Sequence, residues 1–414
     1  MIVAIPSLYA DYGRYINKYR AIPGNVDCLK LVERRLLLTL YRHAANKFVK
    51  SANIVGAAIR LHPHGDQTIY QSLVHLVRKG YAIGQGNWGS PGIEPAEAAA
   101  YRYTECKLAP WVKELCFRYI DYVPWDMYET DEKEPRYLPC PIPIGLIGKG
   151  IIQGISFYKT VIPQYSAQSL FTRLKHLLAE EDVSIKPQFA GCILSDNSRE
   201  LVNKSKVSVK CEPIMQIQDD IIHVYGAPPN VSLTNLFKIE NAKIVDASKD
   251  TLHIQVIPLR KSHLNDIAKS VKRMLTGTIH YHILVVDELG RVVEDTVDNM
   301  LLRAFNRWSE AVRAKLTSDL EAIQKRVAEL QIVKKLKQHL NVTDVAILAS
   351  KCNVEESTVK QVLNKYKLYD LVFIDKQIED ANKEAATLRD KLENFDTFIQ
   401  DELEQTEKVV CSLL

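Results

Sequence analysis

The sequence predicts a multidomain α+β protein, and three features of the 414-residue chain indicate it. Its N-terminal quarter carries short helical patterns around a Pro/Gly turn, and its middle alternates strand-like runs with helical ones. Its last part repeats apolar residues at heptad spacing. With 46% hydrophobic and 25% charged residues, the composition is that of globular domains, and the length suits two or three of them.

The composition also argues against several classes of protein. Apolar runs are short and broken, and no basic segment precedes the first apolar residues, so we expect neither a membrane span nor a signal peptide. The eight cysteines lack C-x-x-C spacing, which favours a reducing compartment over zinc or disulfides. Residues 1–90 hold 12 Lys/Arg against 4 Asp/Glu, a net charge of +8 that suits a polyanionic partner.

The first element is a helical segment from about residue 29 to 80, which we interpret as three short helices. Two of them, "SANIVGAAIRL" and "QTIYQSLVHLVRK", are joined by "HPHGD", where Pro63 and Gly65 break the helix and Asp66 can cap the next. This spacing predicts a helix-turn-helix. The Gly/Pro-rich stretch at 81–95 is then expected to be loop.

The middle of the chain, roughly 140–300, predicts a mixed α/β domain. Beyond it, apolar residues alternate in steps of four and three along one seam: Ile374, Ile378, Ala381, Ala385, Leu388, Leu392, Phe395 and Ile399. A matching helix lies upstream between Phe305 and Leu330, with a helical segment at 341–370 between the two. We interpret these as a long antiparallel coiled coil with a helical globule at its tip, the alternative being two helices of an ordinary bundle.

Two short motifs each allow a structural and a functional interpretation. Gly84–Gly89 has the glycines of G-x-G-x-x-G, but neither the following helix nor a Lys-Ser/Thr, which favours a tight turn over a nucleotide site. His62 and His64 could belong to a metal site, yet no further ligands have suitable spacing. A turn with two imidazoles facing phosphate fits better.

The segment "AEAAAYRYTECKL" places Tyr101 and Tyr103 on either side of Arg102. In isolation, two tyrosines could simply fill a strand. Four blocks, however, follow one another: "RAIPGNVDCLKLVERRLL", "KSANIVGAAIRLHPHGDQTIYQSL", "GQGNWGS" and "AAAYRYTECKLA". In this order they resemble the breakage-reunion domain of type IIA DNA topoisomerases, in particular the A subunits of bacterial gyrase and topoisomerase IV and the phage topoisomerase medium subunit.

The resemblance implies a division into specific domains. Residues 1–138 would form a winged-helix (helix-turn-helix) DNA-gate domain with the catalytic tyrosine, and residues 139–298 a mixed α/β tower domain with a DNA-bending wedge. Residues 299–340 and 371–414 would form the coiled-coil arms, and 341–370 the dimerisation globule.

The same resemblance assigns roles to individual residues. Tyr103, directly after the arginine of Arg-Tyr-Thr, would be the nucleophile, and Arg102 would bind phosphoryl oxygens. The further expected catalytic residues are Arg20, Arg34, His62 and His64. The expected DNA-binding residues are Lys30, Arg35, Lys50, Gln85, Asn87 and the wedge Ile162.

The resemblance also implies partners and cofactors. The chain has no Asp-x-Asp and no ATP-binding signature, so Mg²⁺ and ATP would be bound by a B-type ATPase subunit, with no metal site in this chain. One tyrosine cuts one strand, so double-stranded DNA would be cut by a homodimer within a heterotetramer. We expect a cytoplasmic, nucleoid-associated complex of a bacterium or of a cell infected by a phage or other virus.

Some positions depart from the family. Glu33 replaces a histidine before the arginine pair, where it could weaken the grip on DNA or pair with an arginine. The serine and acid that anchor quinolones are Gln67 and Gln71, which predicts poor quinolone sensitivity. A short N-terminal arm and no DNA-wrapping domain predict ATP-dependent relaxation and decatenation without gyrase-type supercoiling.

Two other functions remain as alternatives. A catalytically inactive DNA-binding or chromosome-structuring dimer of the same fold would need basic charge but no phenol. A transcription regulator could use the N-terminal helices or "ILASKCNVEESTVKQVLNKYK", which by itself resembles a helix-turn-helix but fits the dimerising globule better.

Overall fold

The computed structural model describes residues 5–127, 132–189, 192–194, 203–249, 251–339, 344–366 and 373–414. It forms two compact units, one of Met1–Trp308 with Gln405–Leu414, the other of Ser309–Glu404. The predicted mixture of helices and strands, with a long helix near the C-terminus, is confirmed. Within the described ranges, no helix has both the length and the apolar character that crossing a membrane requires.

Seven α-helices lie wholly within the described part of the first unit. They are α1 (Ile5–Ile16), α2 (Leu31–Ala44), α3 (Ser51–Leu61), α4 (Asp66–Arg78), α5 (Pro110–Cys116), α6 (Ala167–Leu178) and α7 (Leu264–Leu275). Helices α2, α3 and α4 are the three predicted between residues 29 and 80, and their apolar faces meet in a core that contains the fully buried Leu36, Ile54 and Leu73. A four-residue turn, 62–65, joins α3 to α4.

The start of α4 differs from the prediction by one residue. The N-cap is Gly65, and Asp66 is the first helical residue. The Asp66 carboxylate accepts a hydrogen bond from the backbone nitrogen of Gln67 at 2.8 Å, so its second oxygen remains available to another donor.

A small antiparallel sheet lies next to these helices. It contains β1 (Val49–Lys50), β2 (Ala82–Gln85) and β3 (Glu105–Leu108), with β3 in the centre. The expected loop at 81–95 therefore starts later than predicted, because Gln85 pairs with Glu105 across the sheet. Strand β3 begins just after the two tyrosines and fixes the end of their segment.

The rest of the first unit is built on an eight-stranded antiparallel sheet. Its strands are β6 (Ile151–Ile155), β7 (Lys159–Pro163), β8 (Cys192–Leu194), β9 (Lys206–Gln218), β10 (Ile221–Gly226), β11 (Ala242–Asp246), β12 (Ile254–Pro258) and β13 (Gly277–His282). The order is β11-β12-β10-β9-β13-β7-β6, and β8 pairs with β9. The buried residues Val224 and Val256 share a core with Val271 and Leu275 of α7.

Two short ribbons complete the strands of the first unit. One pairs β4 (Trp125–Met127) with β5 (Lys133–Pro135), and the other pairs β14 (Leu284–Val286) with β15 (Val292–Glu294). The first ribbon matters for function, because it supplies Glu134 to an arginine of α2.

Helices make up the described part of the second unit. The 41-residue α8 (Val297–Lys337) enters it from the first unit and is followed by α9 (Val345–Cys352), α10 (Glu356–Lys365), α11 (Ile374–Glu393) and α12 (Phe395–Leu413). Lys334 pairs with Asp375 at 2.7 Å, and the Arg313 guanidinium lies 3.8 Å from the centroid of the Phe395 ring. Residue numbers in α8 fall from 334 to 313 while those of the contacted residues rise from 375 in α11 to 395 at the start of α12. Helix α8 therefore runs antiparallel to α11.

The predicted heptad seam is the less exposed side of the C-terminal helices, but one residue interrupts it. Ile374, Ala381, Ala385, Phe395 and Ile399 are buried. Asn394 ends α11 with a ψ of 38°, and α12 begins at the next residue. The side-chain amide of Asn394 donates to Asp390 at 2.9 Å, so a local polar contact competes with a continuous helix at this point.

Candidate active site

The segment with the two tyrosines forms a tight turn before β3. The backbone nitrogen of Tyr103 donates to the carbonyl of Ala100 at 2.9 Å, which closes the turn. Tyr103 is 64% exposed, whereas the next residue, Thr104, is fully buried. The alanine run therefore ends in a turn that presents a phenol to solvent on a fixed base.

Three buried hydroxyls hold that base. The Tyr70 hydroxyl of α4 donates to the carbonyl of Ala99 at 2.5 Å and lies 3.0 Å from the Thr104 hydroxyl. Thr104 donates to the hydroxyl of Ser51 at 2.8 Å, and the Ser51 backbone nitrogen donates to the Thr104 carbonyl at 3.0 Å. Both sides of the turn are thus tied to α3 and α4.

The glycine motif lies against the same turn. Gly86 has a φ of +97°, and a Cβ built on it would lie 3.2 Å from the Tyr103 carbonyl oxygen. A side chain here would be strained by its backbone conformation and would press on the turn. Gly84 and Gln85 belong to β2, so the motif is a strand end followed by a loop, and Gly86 is required for close packing on the tyrosine segment.

The two tyrosines have opposite electrostatic surroundings. The Tyr101 hydroxyl donates to the Asp66 carboxylate at 2.9 Å, and this bond, together with the Asp66 charge, raises the pKa of Tyr101. The Arg102 guanidinium lies 4.7 Å from the centroid of the Tyr103 ring, and a hydrogen bond with Tyr103 raises the pKa of Arg102. Of the two phenols, Tyr103 is the more exposed and lies under the Arg102 guanidinium, whereas Tyr101 is bonded to a carboxylate, so Tyr103 suits the nucleophile better.

A second group of predicted residues gathers at the C-terminal end of α3. The buried Arg35 binds Glu134 of β5 through Nε at 2.6 Å and Nη2 at 2.8 Å. Its Nη1 lies 3.0 Å from Nδ1 of His62, whose ring stacks on that of His64 with 4.0 Å between centroids. The exposed Arg20 is close enough for its charge to act on both imidazoles.

These surroundings keep the histidines neutral. Burial, then the charges of His64, Arg35 and Arg20, lower the pKa of His62 to about 3. Burial and the two arginines also lower the pKa of His64. Both ring nitrogens of His64 are buried and make no hydrogen bond within the described part of the chain. A neutral imidazole beside arginines can bond an oxygen of a phosphate that docks on this group.

This arrangement predicts an acid-sensitive fold. The pKa of His62 is lower in the folded chain than the unfolded value of about 6.5, so the unfolded chain binds its proton more tightly. The free energy of unfolding should therefore fall between about pH 6.5 and pH 3, by up to about 1.4 kcal/mol per pH unit for one proton. His62→Gln should flatten this slope in urea unfolding measured from pH 7 to 4.5. Equal slopes in the two proteins would contradict the assignment.

Arg34, expected near the phosphate, is mainly occupied within the protein. Its Nε and Nη2 donate to the fully buried Asp27 at 2.6 and 2.9 Å, and its side chain is 11% exposed. Burial alone would lower the pKa of Arg34, but the charge and hydrogen bonds of Asp27 raise it. This pair leaves Nη1 and the second N–H of Nη2 unused, but the side chain is so little exposed that Arg34 offers a phosphate far less than a free arginine would.

Glu33 pairs with a lysine, so the expectation of an arginine partner is wrong. It accepts from Lys79 at 2.7 Å and from the backbone nitrogen of Lys30 at 3.0 Å, which caps α2. Lys79, Lys30 and these hydrogen bonds lower the pKa of Glu33 against the opposing effect of burial. Burial in turn lowers the pKa of Lys30, whose ammonium is partly exposed beside this pair.

The other expected DNA contacts differ in availability. Gln85 and Asn87 are exposed, and Lys50 is exposed while it pairs with Glu105 at 2.7 Å. Ile162 is fully buried in β7 opposite Ile152, so in this structure it is not available as a wedge. The wedge role that the family resemblance gives Ile162 therefore stays a prediction. The tip of the hairpin between β6 and β7 lies at 156–158, flanked by the exposed Ile155.

The structure brings the predicted residues together in two groups rather than one. Tyr103 and Arg102 lie by the start of α3, whereas Arg35, His62 and His64 gather at its other end. Helix α3 has 11 residues and is about 16 Å long. In the described residues, no hydrogen bond or ring contact joins Tyr103 to either histidine.

Several residues that shape both groups were missed from the sequence. They are Asp27, Ser51, Asp66 in its contact with Tyr101, Tyr70, Thr104 and Glu134. Most of these residues bond partners that lie 29 to 99 positions away in sequence. A local sequence pattern cannot predict such contacts. Asp27, seven positions before Arg34, precedes the helix, so helical spacing did not indicate the pair either.

The chain thus combines a basic N-terminal helical segment, an exposed Tyr–Arg pair and an Arg–His group in an α+β fold. The family model for the A subunit of DNA gyrase/topoisomerase IV matches residues 20–412. The chain therefore belongs to the family of DNA gyrase/topoisomerase IV A subunits.

Individual relatives agree with this membership. The DNA gyrase A subunit of Campylobacter jejuni is 38% identical over 198 residues, which cover 44% of this chain and 22% of the relative. The DNA topoisomerase 4 A subunit of Borreliella burgdorferi is 31% identical over 208 residues, 49% of this chain and 32% of the relative. The DNA gyrase A subunit of Buchnera aphidicola is 27% identical over 407 residues, which cover 87% of this chain and 46% of the relative. Each alignment covers less than half of the relative's length.

Proposed function

We propose that this chain is the DNA-cleaving and religating subunit of an ATP-dependent type IIA DNA topoisomerase. One observation carries the proposal: Tyr103 is exposed beside Arg102 on a turn held by Tyr70, Thr104 and Ser51. A protein that only binds DNA has no need for an exposed phenol fixed in this way.

The proposed reaction is a reversible transesterification. The Tyr103 oxygen attacks a backbone phosphorus, its bond to that phosphorus forms as the bond to the 3′ oxygen breaks, and the proton of the phenol ends on the released 3′ hydroxyl. A 5′-phosphotyrosyl ester links protein to DNA. Since one phosphodiester replaces another, attack of the 3′ hydroxyl restores the DNA without ATP. Arg102 balances charge that gathers on the phosphoryl oxygens.

The remaining residues would bind the DNA backbone around the cut. The exposed Arg20 would donate to phosphate oxygens, and the neutral, unpartnered His64 ring has one N–H that could donate as well, while Arg35 holds His62 in place. Lys30, Lys50, Gln85 and Asn87 would add further backbone contacts. We assign Arg34 a mainly structural role, because Asp27 occupies two of its nitrogens.

Mg²⁺ and ATP would be bound by a B-type partner subunit. In the ranges that the structure describes, no three His, Cys, Asp or Glu side chains are grouped so as to hold a metal ion. These residues do not fit a Mg²⁺ site by themselves, and no step above passes through a metal.

The active species would be a homodimer with two such partners. Helices α8, α11 and α12 would be coiled-coil arms, and α9 and α10 the dimerisation globule. In that globule, Ile347 and Leu363 are exposed apolar residues that a second copy could cover. The domain boundaries from the sequence remain part of this proposal. So do the cytoplasmic, nucleoid-associated location, the phage or viral origin, and relaxation and decatenation without supercoiling.

The proposal is tested with the full chain, its own B-type partner, supercoiled plasmid and Mg²⁺. After a detergent quench, linear DNA that enters a gel only after protease digestion would show covalent double-strand breaks. A chain that dimerises and binds DNA with its partner, yet never forms breaks, would instead be the inactive DNA-binding dimer.

We expect quinolones to stimulate this cleavage poorly. Gln67 and Gln71, exposed on the first two turns of α4, replace the serine and acid that the family resemblance assigns to drug anchoring. The double change Gln67→Ser with Gln71→Asp should lower the drug concentration for half-maximal cleavage about tenfold or more, since it adds two specific polar contacts. Ordinary drug-stimulated breaks by the unchanged chain would refute this expectation.

A further inference from the structure

The side chain of Tyr101 has no role in the transesterification itself, yet it makes a specific contact. Its hydroxyl donates to Asp66 Oδ2 at 2.9 Å across 35 positions of sequence. Its ring also meets that of Tyr70 edge-on, with 5.6 Å between centroids. Tyr101 thus contacts the first two turns of α4, Asp66 through its hydroxyl and Tyr70 through its ring.

This contact completes the attachment of the turn that carries Tyr103. The backbone on either side is held by Tyr70 and Ser51, at Ala99 and Thr104. Between those two points, the Tyr101 side chain is hydrogen-bonded to α4. The side chains of Arg102 and Tyr103 are exposed to solvent. The hydroxyl must be the donor, because an ionised carboxylate only accepts.

We infer that Tyr101 is a positioning residue, whose hydrogen bond to Asp66 orients the turn so that Tyr103 and Arg102 face the scissile phosphate. This inference rests on the proposed function. A displacement of about 1 Å in a reacting group can lower a rate about a hundredfold. A hydrogen bond to a charged acceptor is about twice as strong as one between neutral groups, and it opposes such a shift.

The test measures covalent cleavage by the full chain with its partner subunit, and compares four variants of the chain with wild type. Tyr101→Phe removes the hydroxyl and keeps the ring, and should lower the cleaved fraction about tenfold or more, with DNA affinity within about twofold of wild type. Asp66→Ala should lower cleavage at least as much, and the double variant should be no worse than Asp66→Ala alone, because each single change already removes the bond between Tyr101 and Asp66. Asp66→Asn, which keeps an acceptor oxygen, should lose less than Asp66→Ala.

A matched control is Tyr225→Phe. Tyr225 is also partly exposed and stacks on His223 and His253, but its hydroxyl makes no hydrogen bond in the described structure. This variant should cleave as wild type does. Additive losses in the Tyr101/Asp66 double variant, or wild-type cleavage by Tyr101→Phe, would overturn the inference.

Hydrogen exchange separates this inference from the proposed function. The Tyr103 amide, bonded to the Ala100 carbonyl, should exchange faster in Tyr101→Phe than in wild type, whether or not DNA is present. Unchanged exchange would overturn the positioning role even if cleavage occurs. If wild type forms no breaks at all, the proposed function fails, and exchange still decides whether Tyr101 orders the turn.

Discussion

Tyr103→Phe should abolish protein-linked DNA cleavage, a loss of more than about 10³-fold, because no other group replaces a removed nucleophile. The change removes one exposed oxygen and leaves the ring under the Arg102 guanidinium. Folding and DNA affinity should therefore stay close to wild type. The measurement is the protease-dependent linear product from supercoiled plasmid, in the presence of the B-type partner.

The neighbouring phenol provides the control. Tyr101→Phe should reduce cleavage without abolishing it, since the Tyr101 hydroxyl is bonded to a carboxylate that raises its pKa. If breaks persist in Tyr103→Phe and vanish in Tyr101→Phe, the nucleophile has been assigned to the wrong tyrosine. Unimpaired cleavage by both variants would remove tyrosine chemistry from the proposal altogether.

Local patterns predicted the helices well. Helices α2 to α4 follow from apolar spacing and from the Pro63 and Gly65 breaks, which act within a few residues. The heptad seam predicted the buried side of α11 and α12 but not the interruption at Asn394, because apolar spacing ignores a polar side chain that bonds its own helix. Strand β2 was missed for a related reason: its pairing with β3 is a long-range property.

The site was predictable as a set of residue types, and less so as an arrangement. Arg34 and Arg35 are adjacent in sequence and both basic, so the sequence treats them alike. In the fold they point to different acids, Asp27 and Glu134, and only Arg35 reaches a histidine. These tertiary contacts determine how far each of the two arginines can still bind a phosphate.

The paired acids also qualify the inference from net charge. Part of the excess positive charge in residues 1–90 is matched by acids outside that segment, as Arg35 with Glu134 and Lys50 with Glu105 show. Arg20 is exposed and its charge acts on His62 and His64. Under the proposed function, the attraction of DNA would therefore depend on a few exposed cations near the turn and the histidines, more than on the total charge of the N-terminal quarter.

Asp27→Ala should destabilise the fold strongly, by about 3–5 kcal/mol, because it leaves a nearly buried guanidinium without its counter-charge. Asp27 is fully buried, accepts two bonds from Arg34, and also accepts from the backbone nitrogens of Leu29 and Leu138 at 3.1 Å each. The change therefore leaves the Arg34 guanidinium and the backbone N–H groups of Leu29 and Leu138 without their acceptor. The urea midpoint of the first unfolding transition measures the loss.

Asp126→Ala is the matched control for this prediction. Asp126 pairs with Arg136 at 2.9 Å, but both side chains are more than half exposed, so the loss should be below about 1 kcal/mol. Arg34→Ala should destabilise less than Asp27→Ala, since the buried carboxylate it leaves keeps two backbone donors. If Arg34→Ala instead left stability unchanged and abolished cleavage, Arg34 would act on the phosphate, and the structural role given to its pair with Asp27 would be wrong.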